Sequence, residues 1–119
     1  MNFARGKVRD GSIAFGSQQL DLREVRPDIG SLEGKEIVFG FRPEAVSLRE
    51  RADAVRIIAG VELTEMLGDN TNVYIKMADS NAILKVDPHD TPEVDSDIVF
   101  SIPYESVYLF DGETEMVIK

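Results

Sequence analysis

The sequence predicts an all-β domain built from short antiparallel strands, arranged as a barrel or a sandwich. Apolar and polar residues alternate with a period close to two along most of the chain, as on strands with one buried face. Gly, Pro and Asp-Gly pairs interrupt these runs at short intervals, which is typical of turns between strands. No helical stripe is longer than about two turns, and about seven or eight strands are expected among the ten candidate runs described below.

Four short runs in the first half of the chain are predicted strands: residues 3–8, 13–15, 19–22 and 37–41. Asp10-Gly11 joins the first two runs, and this pair suits a two-residue hairpin because both central positions of the turn need a positive φ. One helical turn is expected at residues 31–34, where Gly34 ends it. The fourth run ends at Arg42, because Pro43 forces the preceding residue into an extended conformation.

Six further runs are predicted strands of the second half: residues 57–67, 72–77, 82–86, 97–102, 107–110 and 115–118. The run 72–77 alternates cleanly, which places its odd-numbered apolar side chains on the buried face. A turn is expected at residues 78–81. Asp111-Gly112 is a second hairpin signal and predicts that the last two runs pair with each other.

Glu65 is a carboxylate at an inward-facing position of the predicted strand 57–67. Val61 and Leu63 are expected on the buried face, and uninterrupted alternation would place Glu65 beside them. Burying an unpaired carboxylate costs several kcal/mol. Either a β-bulge turns Glu65 to solvent, or Glu65 meets a basic partner such as Arg42.

Composition limits the classes of function. The chain has 119 residues, with 13 Lys and Arg against 22 Asp and Glu, which gives a net charge of −9. This balance argues against binding to nucleic acid or to an anionic membrane surface, since both need a basic face. The absence of cysteine excludes a disulfide scaffold, a cysteine-ligated metal site and a thiol nucleophile. The length fits one domain over residues 1–119, and no run approaches the roughly 20 apolar residues that span a membrane.

Signatures of catalysis and of cofactor binding are missing from the sequence. It has no G-x-x-x-x-G-K-S/T loop or G-x-G-x-x-G loop for phosphates and no G-x-S-x-G elbow for a nucleophile. The one histidine, His89, stands between Asp87 and Asp90, where it is either a ligand or base, or part of a solvated loop. A metal site needs three or four converging ligands, so the solvated loop is favoured. We therefore expect no catalytic residue, no metal ligand and no cofactor in this chain.

Phe110 closes an apolar run in which consecutive large side chains, including Tyr108, must point to both faces of one strand. One face belongs to the core. The other face either is covered by a further surface, such as a second subunit, or stays half-exposed at the end of the strand.

Several segments resemble one known family. Residues 38–44 (VFGFRPE) are similar to the G-I-R-P-E segment in the C-terminal regulatory domain of ATP-binding subunits of ABC importers, with Phe41 in place of the usual Ile. Residues 61–68 (VELTEMLG) resemble the V-x-x-x-E-x-L-G segment of that domain, and residues 107–111 (VYLFD) resemble its h-L-F-D. The best match is the carbohydrate-uptake group, and the matching segments run in order through the whole chain.

The resemblance implies a fold, a function and a set of partners. It implies a TOBE-type, OB-like β-barrel that regulates and dimerises the ATP-binding subunit of an importer for sugars or related solutes. ATP and Mg²⁺ would bind only to a nucleotide-binding domain outside this chain. The implied partners are a second copy, that nucleotide-binding domain, the permease subunits through the parent subunit, and a cytoplasmic regulator. The implied location is cytoplasmic, at the inner face of the cell membrane.

The resemblance also places six residues near inter-domain or inter-subunit surfaces, by analogy: Phe41, Arg42, Pro43, Glu44, Phe110 and Asp111. A Pro at a strand end and a terminal Phe also suit a purely structural role. Two other functions stay open: a free-standing module that binds a small oxyanion, and a hydrolase that uses scattered carboxylates. The negative charge of the chain disfavours an oxyanion.

Overall fold

The computed structural model describes residues 1–15, 18–77 and 80–118. Nine strands occur in this part of the chain: β1 Asn2–Arg9, β2 Ser12–Phe15, β3 Gln18–Asp21, β4 Glu36–Phe41, β5 Ala54–Met66, β6 Thr71–Met77, β7 Ser80–Val86, β8 Asp97–Pro103 and β9 Tyr108–Asp111. Short 3₁₀ segments lie between them at Ile29–Leu32, Pro43–Ala45, Pro88–Asp90 and Tyr104–Ser106. The predicted all-β class is confirmed, with nine strands rather than seven or eight. No helix of the described residues is long and apolar enough to cross a membrane.

The strands form two antiparallel sheets around one core. The first sheet has the order β3-β2-β1-β4-β9 and the second has the order β7-β6-β5-β8. Val73, Ile75 and Met77 are fully buried, which confirms the alternation predicted for this strand. Phe41 lies at the centre of the core, because its ring centroid is 6.0 Å from that of Phe39 and 5.8 Å from that of Phe100.

One of the two predicted hairpin turns is confirmed and the other is wrong. Asp10 and Gly11 have φ angles of 53° and 80°, as the turn between β1 and β2 requires. After β9 the chain returns along this strand, which confirms the predicted pairing of the last two runs: Phe110 and Val117 form a bridge, and the amide of Ile118 donates to the carbonyl of Leu109 at 2.8 Å. Residues 115–118 do not themselves form a strand. The amide of Asp111 donates to the carbonyl of Met116 at 2.8 Å, so the loop is longer than two residues. Of the turn predicted at residues 78–81, residues 78–79 lie outside the described residues.

Glu65 points to solvent because β5 contains a bulge. Val61 pairs with Ile75 and Leu63 with Tyr74, so two residues of β5 oppose one step of β6. The bulge, one of the two predicted outcomes, is confirmed. It also moves Leu63 to the solvent face, with 55% of its surface exposed, so its predicted burial is wrong.

Two side-chain carboxamides join the two sheets, each between an edge strand of one sheet and an inner strand of the other. Asn2 on β1 donates to the carbonyl of Ile83 on β7 at 2.8 Å and accepts from the amide of Ile83 at 3.0 Å. Gln18 on β3 forms the same pair of bonds with Ile58 on β5, at 2.8 and 2.9 Å. Each carboxamide thus replaces a neighbouring strand as the hydrogen-bond partner of a backbone amide and carbonyl that would otherwise be unpaired.

Replacing these carboxamides is expected to weaken the contact between the sheets. Asn2→Ala should lower the free energy of unfolding by about 1–3 kcal/mol, because it leaves the amide and carbonyl of the edge residue Ile83 unpaired. Gln18→Ala should cost less, about 1 kcal/mol, because its bonds are more exposed. Urea unfolding measures both values. Gln19→Ala is the control, because Gln19 lies on the same strand with an exposed side chain; an equal loss in the control would contradict the assignment.

Candidate interaction surface

The segment from Phe41 to Glu44 passes from the core to the surface. Phe41 is fully buried at the end of β4, so its side chain has no exposed area to offer a partner. Arg42 has an extended backbone, with φ −83° and ψ 146°, and precedes the 3₁₀ turn Pro43–Ala45. Pro43 is well placed at the first position of that turn, where its missing amide costs no hydrogen bond. The buried ring therefore anchors a turn whose polar residues face solvent.

Arg42 and Glu44 are the exposed charges of this turn. Arg42 forms no ion pair with any residue in the described part of the chain, and Glu65 instead accepts hydrogen bonds from Asn72 at 3.2 Å and Tyr74 at 3.4 Å. The alternative in which Arg42 pairs with Glu65 is therefore wrong. The turn lies against the edge strand β7. Its two opposite charges are available for ion pairs across an interface.

Phe110 belongs to an apolar patch on the outer face of the first sheet. In the register of this sheet, Gly40 on β4 pairs with Phe3 on β1 and with Tyr108 on β9. Val38 on β4 pairs with Phe110 on β9. We call Phe3, Val38, Tyr108 and Phe110 the outer patch. The rings of Phe3 and Phe110 meet edge to face, with centroids 5.8 Å apart and planes at 72°. This arrangement is favourable for aromatic pairs.

Gly40 gives the outer patch its shape. A Cβ atom at this position would lie 3.0 Å from the ring of Phe110, 3.1 Å from the sulfur of Met1 and 3.3 Å from the ring of Phe3. These three side chains therefore lie directly over the backbone of β4. Beside them is an open cleft of about 470 Å³, which Phe3, Val38 and Phe110 help to line.

Arg5 and Asp111, two charged residues beside this cleft, already have partners. Arg5 donates to the carboxylate of Glu36 at 2.8 Å and to the carbonyl of Gly112 at 2.7 Å. Asp111 accepts from the amides of Glu113 at 2.8 Å and Thr114 at 3.1 Å, and these bonds lower the pKa of its carboxyl group. Asp111 thus shapes the loop after β9. The cleft therefore offers mainly apolar contact, with the exposed carboxylate of Glu115 as a further charged group in its lining.

Phe3, Val38 and Gly40 are residues of this surface that we did not identify from the sequence. The alternation of side chains along β1 and β4 places these residues on the outer face of the sheet. Only the register in which β1, β4 and β9 pair brings them beside Phe110. Phe3 and Phe110 are 107 positions apart. A local pattern cannot show such a contact.

His89 lies in an exposed loop. Its ring Nδ1 is 2.8 Å from a carboxylate oxygen of Asp87, and the same oxygen accepts from the amide of His89 at 2.9 Å. The backbone bond and the ring contact lower the pKa of Asp87. No group of three or more His, Asp or Glu side chains among the described residues is arranged to hold a metal ion.

Two family models match the chain. The MalK OB fold domain matches residues 1–46, and the TOBE domain matches residues 39–110. Together the two models cover the described strands from β1 to β9. The TOBE model alone covers more than half of the chain and includes the end of β4, the 3₁₀ turn after it and Phe110.

Related proteins are similar over almost the whole of this chain. The sulfoquinovosyl glycerol transport ATP-binding protein of Agrobacterium fabrum is 30% identical over 97% of this chain and 32% of its own length. The oligosaccharides import ATP-binding protein of Bacillus subtilis and the multiple sugar-binding transport ATP-binding protein of Streptococcus mutans are each 28% identical, over 100% of this chain and 34% of their own length. The chain thus spans about a third of the length of these relatives.

A solved structure has the same fold. The cytoplasmic molybdate-binding protein ModG superimposes with a TM-score of 0.68 over 91% of this chain and 94% of that one, at 18% sequence identity. This likeness concerns the fold, whereas the family models and the three relatives concern sequence. The chain belongs to the TOBE domain family, and its relatives of similar sequence are ATP-binding subunits of importers for sugars and related solutes.

Proposed function

We propose that this domain regulates and dimerises the ATP-binding subunit of an ABC importer for sugars or related solutes. The observation that supports the proposal most strongly is the similarity of almost the whole chain to about a third of three such subunits. The parent subunit would hydrolyse ATP at the inner face of the cell membrane to drive uptake. Its permease partners would be contacted mainly through the other two thirds of the subunit.

In this proposal the domain itself performs no catalysis. ATP and Mg²⁺ would bind to the nucleotide-binding part of the subunit, because this sequence lacks a phosphate-binding loop motif. The domain would instead offer surfaces to a second copy and to a cytoplasmic regulator. Arg42, Pro43 and Glu44 suit such a role, because the core ring of Phe41 holds their turn in place while the two charges stay exposed.

The source DNA tests the proposal directly. We expect an in-frame coding region next to the codons of this chain, long enough for one further α/β domain and containing a phosphate-binding loop. A stop codon and a ribosome-binding site immediately upstream of Met1, with no such region downstream, would contradict the proposal. The protein would then be a free-standing barrel.

Self-association of the 119-residue chain should be weak and should depend on salt. Each copy carries a net charge of −9, so two copies repel each other, and salt screens this repulsion. We expect sedimentation to show a dimer only at high protein concentration, and a tighter dimer at about 0.5 M salt than at about 0.05 M. Arg42→Glu should weaken this dimer about tenfold or more, because it adds a negative charge at the proposed contact.

Arg51→Glu is the matched control for this experiment, because Arg51 is also an exposed arginine and its ion pair with Glu105 is long, at 4.0 Å. An equal effect of the two substitutions would show that only the net charge matters. A monomer at every protein and salt concentration would contradict the dimerisation role of the isolated domain.

Calorimetry distinguishes the proposed function from the oxyanion-binding alternative. Molybdate, tungstate and sulfate should give no binding heat at ligand concentrations below about 1 mM, because the net negative charge of the domain repels anions. Titration of the 119-residue chain at low salt is the most sensitive test, since repulsion and attraction are both least screened there. Saturable binding of molybdate in the micromolar range would overturn the proposal in favour of an oxyanion-binding module.

A further inference from the structure

The outer patch is a preformed apolar surface that stays partly exposed among residues 1–15, 18–77 and 80–118. Phe3 is 49% exposed and Tyr108 is 36% exposed, although both are large apolar side chains of a sheet. The rings of Phe3 and Phe110 meet edge to face. Gly40 has no side chain, so both rings pack directly on the backbone of β4. The adjoining cleft of about 470 Å³ has room for one or two apolar side chains of another surface. An exposed apolar cluster with this shape is typical of a contact site.

Both ends of the described chain lie at this patch. The sulfur of Met1 is packed over Gly40, beside Phe3. At the other end, Val117 forms a bridge with Phe110, and Glu115 lines the cleft. Any polypeptide joined to either end would therefore begin at the rim of the outer patch.

We propose that, in the full-length subunit, the ATP-binding domain of the same polypeptide covers the outer patch. This inference rests on the function proposed above, because it requires that the subunit contain such a domain. The covering surface should present an apolar side chain, since Arg5 beside the cleft is already bonded to Glu36 and to the carbonyl of Gly112. The contact would fix the orientation of the domain relative to the site of ATP hydrolysis.

A tethered domain fits the patch better than a second copy does. Seven of the described residues line the cleft, whereas a stable interface between separate proteins uses about 20–30 residues on each side. A tethered partner is present at an effective concentration in the millimolar range, so a small contact can stay closed. Two separate copies would also have to overcome the repulsion between charges of −9 each.

Thiol labelling tests this contact, because the chain has no cysteine of its own. Tyr108→Cys places a thiol at the outer patch, and Ile58→Cys places one on the solvent face of the second sheet, where Ile58 is 57% exposed. The rate of reaction with a maleimide is compared between the 119-residue chain and the full-length subunit, with any other cysteines of the subunit replaced by Ser. The Tyr108→Cys thiol should react about tenfold more slowly in the subunit, as expected for a contact closed about nine-tenths of the time. The Ile58→Cys thiol should react equally fast in both.

A second substitution identifies the contact surface. Phe3→Glu, combined with Tyr108→Cys, should restore the fast rate in the subunit, because it puts a charge into the apolar contact. The matched control combines Tyr108→Cys with Ile58→Glu, a substitution at a similarly exposed apolar residue of the other sheet. In this control the Tyr108→Cys thiol should still react slowly in the subunit. Hydroxyl-radical oxidation of Met1 and Phe3 gives the same comparison in unsubstituted proteins.

Two results would overturn the inference. Equal labelling rates for Tyr108→Cys in the chain and in the subunit would show that the patch stays uncovered. Protection that appears in the 119-residue chain and rises with its concentration would show that a second copy is the occupant. Failure of the proposed function gives a different result, because the full-length protein would then lack an ATP-binding domain or would not hydrolyse ATP. If only the docking inference fails, the subunit hydrolyses ATP but the Tyr108→Cys thiol is not protected.

Discussion

The structure depends on how two open sheets satisfy their edges while enclosing one core. Each of the four outer strands would otherwise present unpaired backbone groups. Asn2 pairs with the edge of β7, and Gln18 pairs with the part of β5 that lies beyond its contact with β6. Ser47 exchanges two backbone bonds with Ser101 of β8, at 2.9 and 2.8 Å, and Val117 bridges β9. Side-chain carboxamides and isolated bridges thus pair with backbone groups of β5, β7, β8 and β9 that no neighbouring strand reaches.

The same closure creates the two candidate interaction surfaces. Phe41 is held between Phe39 and Phe100, and the chain that leaves this ring forms the exposed turn containing Arg42 and Glu44. On the outer face of the same strand, Gly40 is opposite Phe3 and Tyr108. Strand β4 therefore contributes its inward-facing residues to the core. The same strand leads into the polar turn at its end and forms part of the apolar patch on the outer face of the sheet. A change in the packing of β4 would move both surfaces together.

These surfaces belong to a domain whose relatives are about three times longer. An isolated domain of this size with a net charge of −9 gains solubility from its charge, but that charge opposes association with another copy. Small contacts become effective when a partner is tethered or when several contacts act together. A polar turn and a compact apolar patch are the kinds of surface that such an arrangement can use. Both surfaces suit the regulatory and dimerising role that we propose.

The sequence by itself determined the approximate positions of the nine strands, the first turn and the family, because a period of two, an Asp-Gly pair and short motifs are local properties. The run 115–118 has the same local pattern but does not form a strand. Tertiary structure decided the rest. The bulge that exposes Leu63 depends on the partner strand, and the loop after Asp111 depends on side-chain hydrogen bonds. The outer patch and the pairing of Asn2 with Ile83 join residues 107 and 81 positions apart. Such contacts follow from sheet order and register, which a local pattern does not contain.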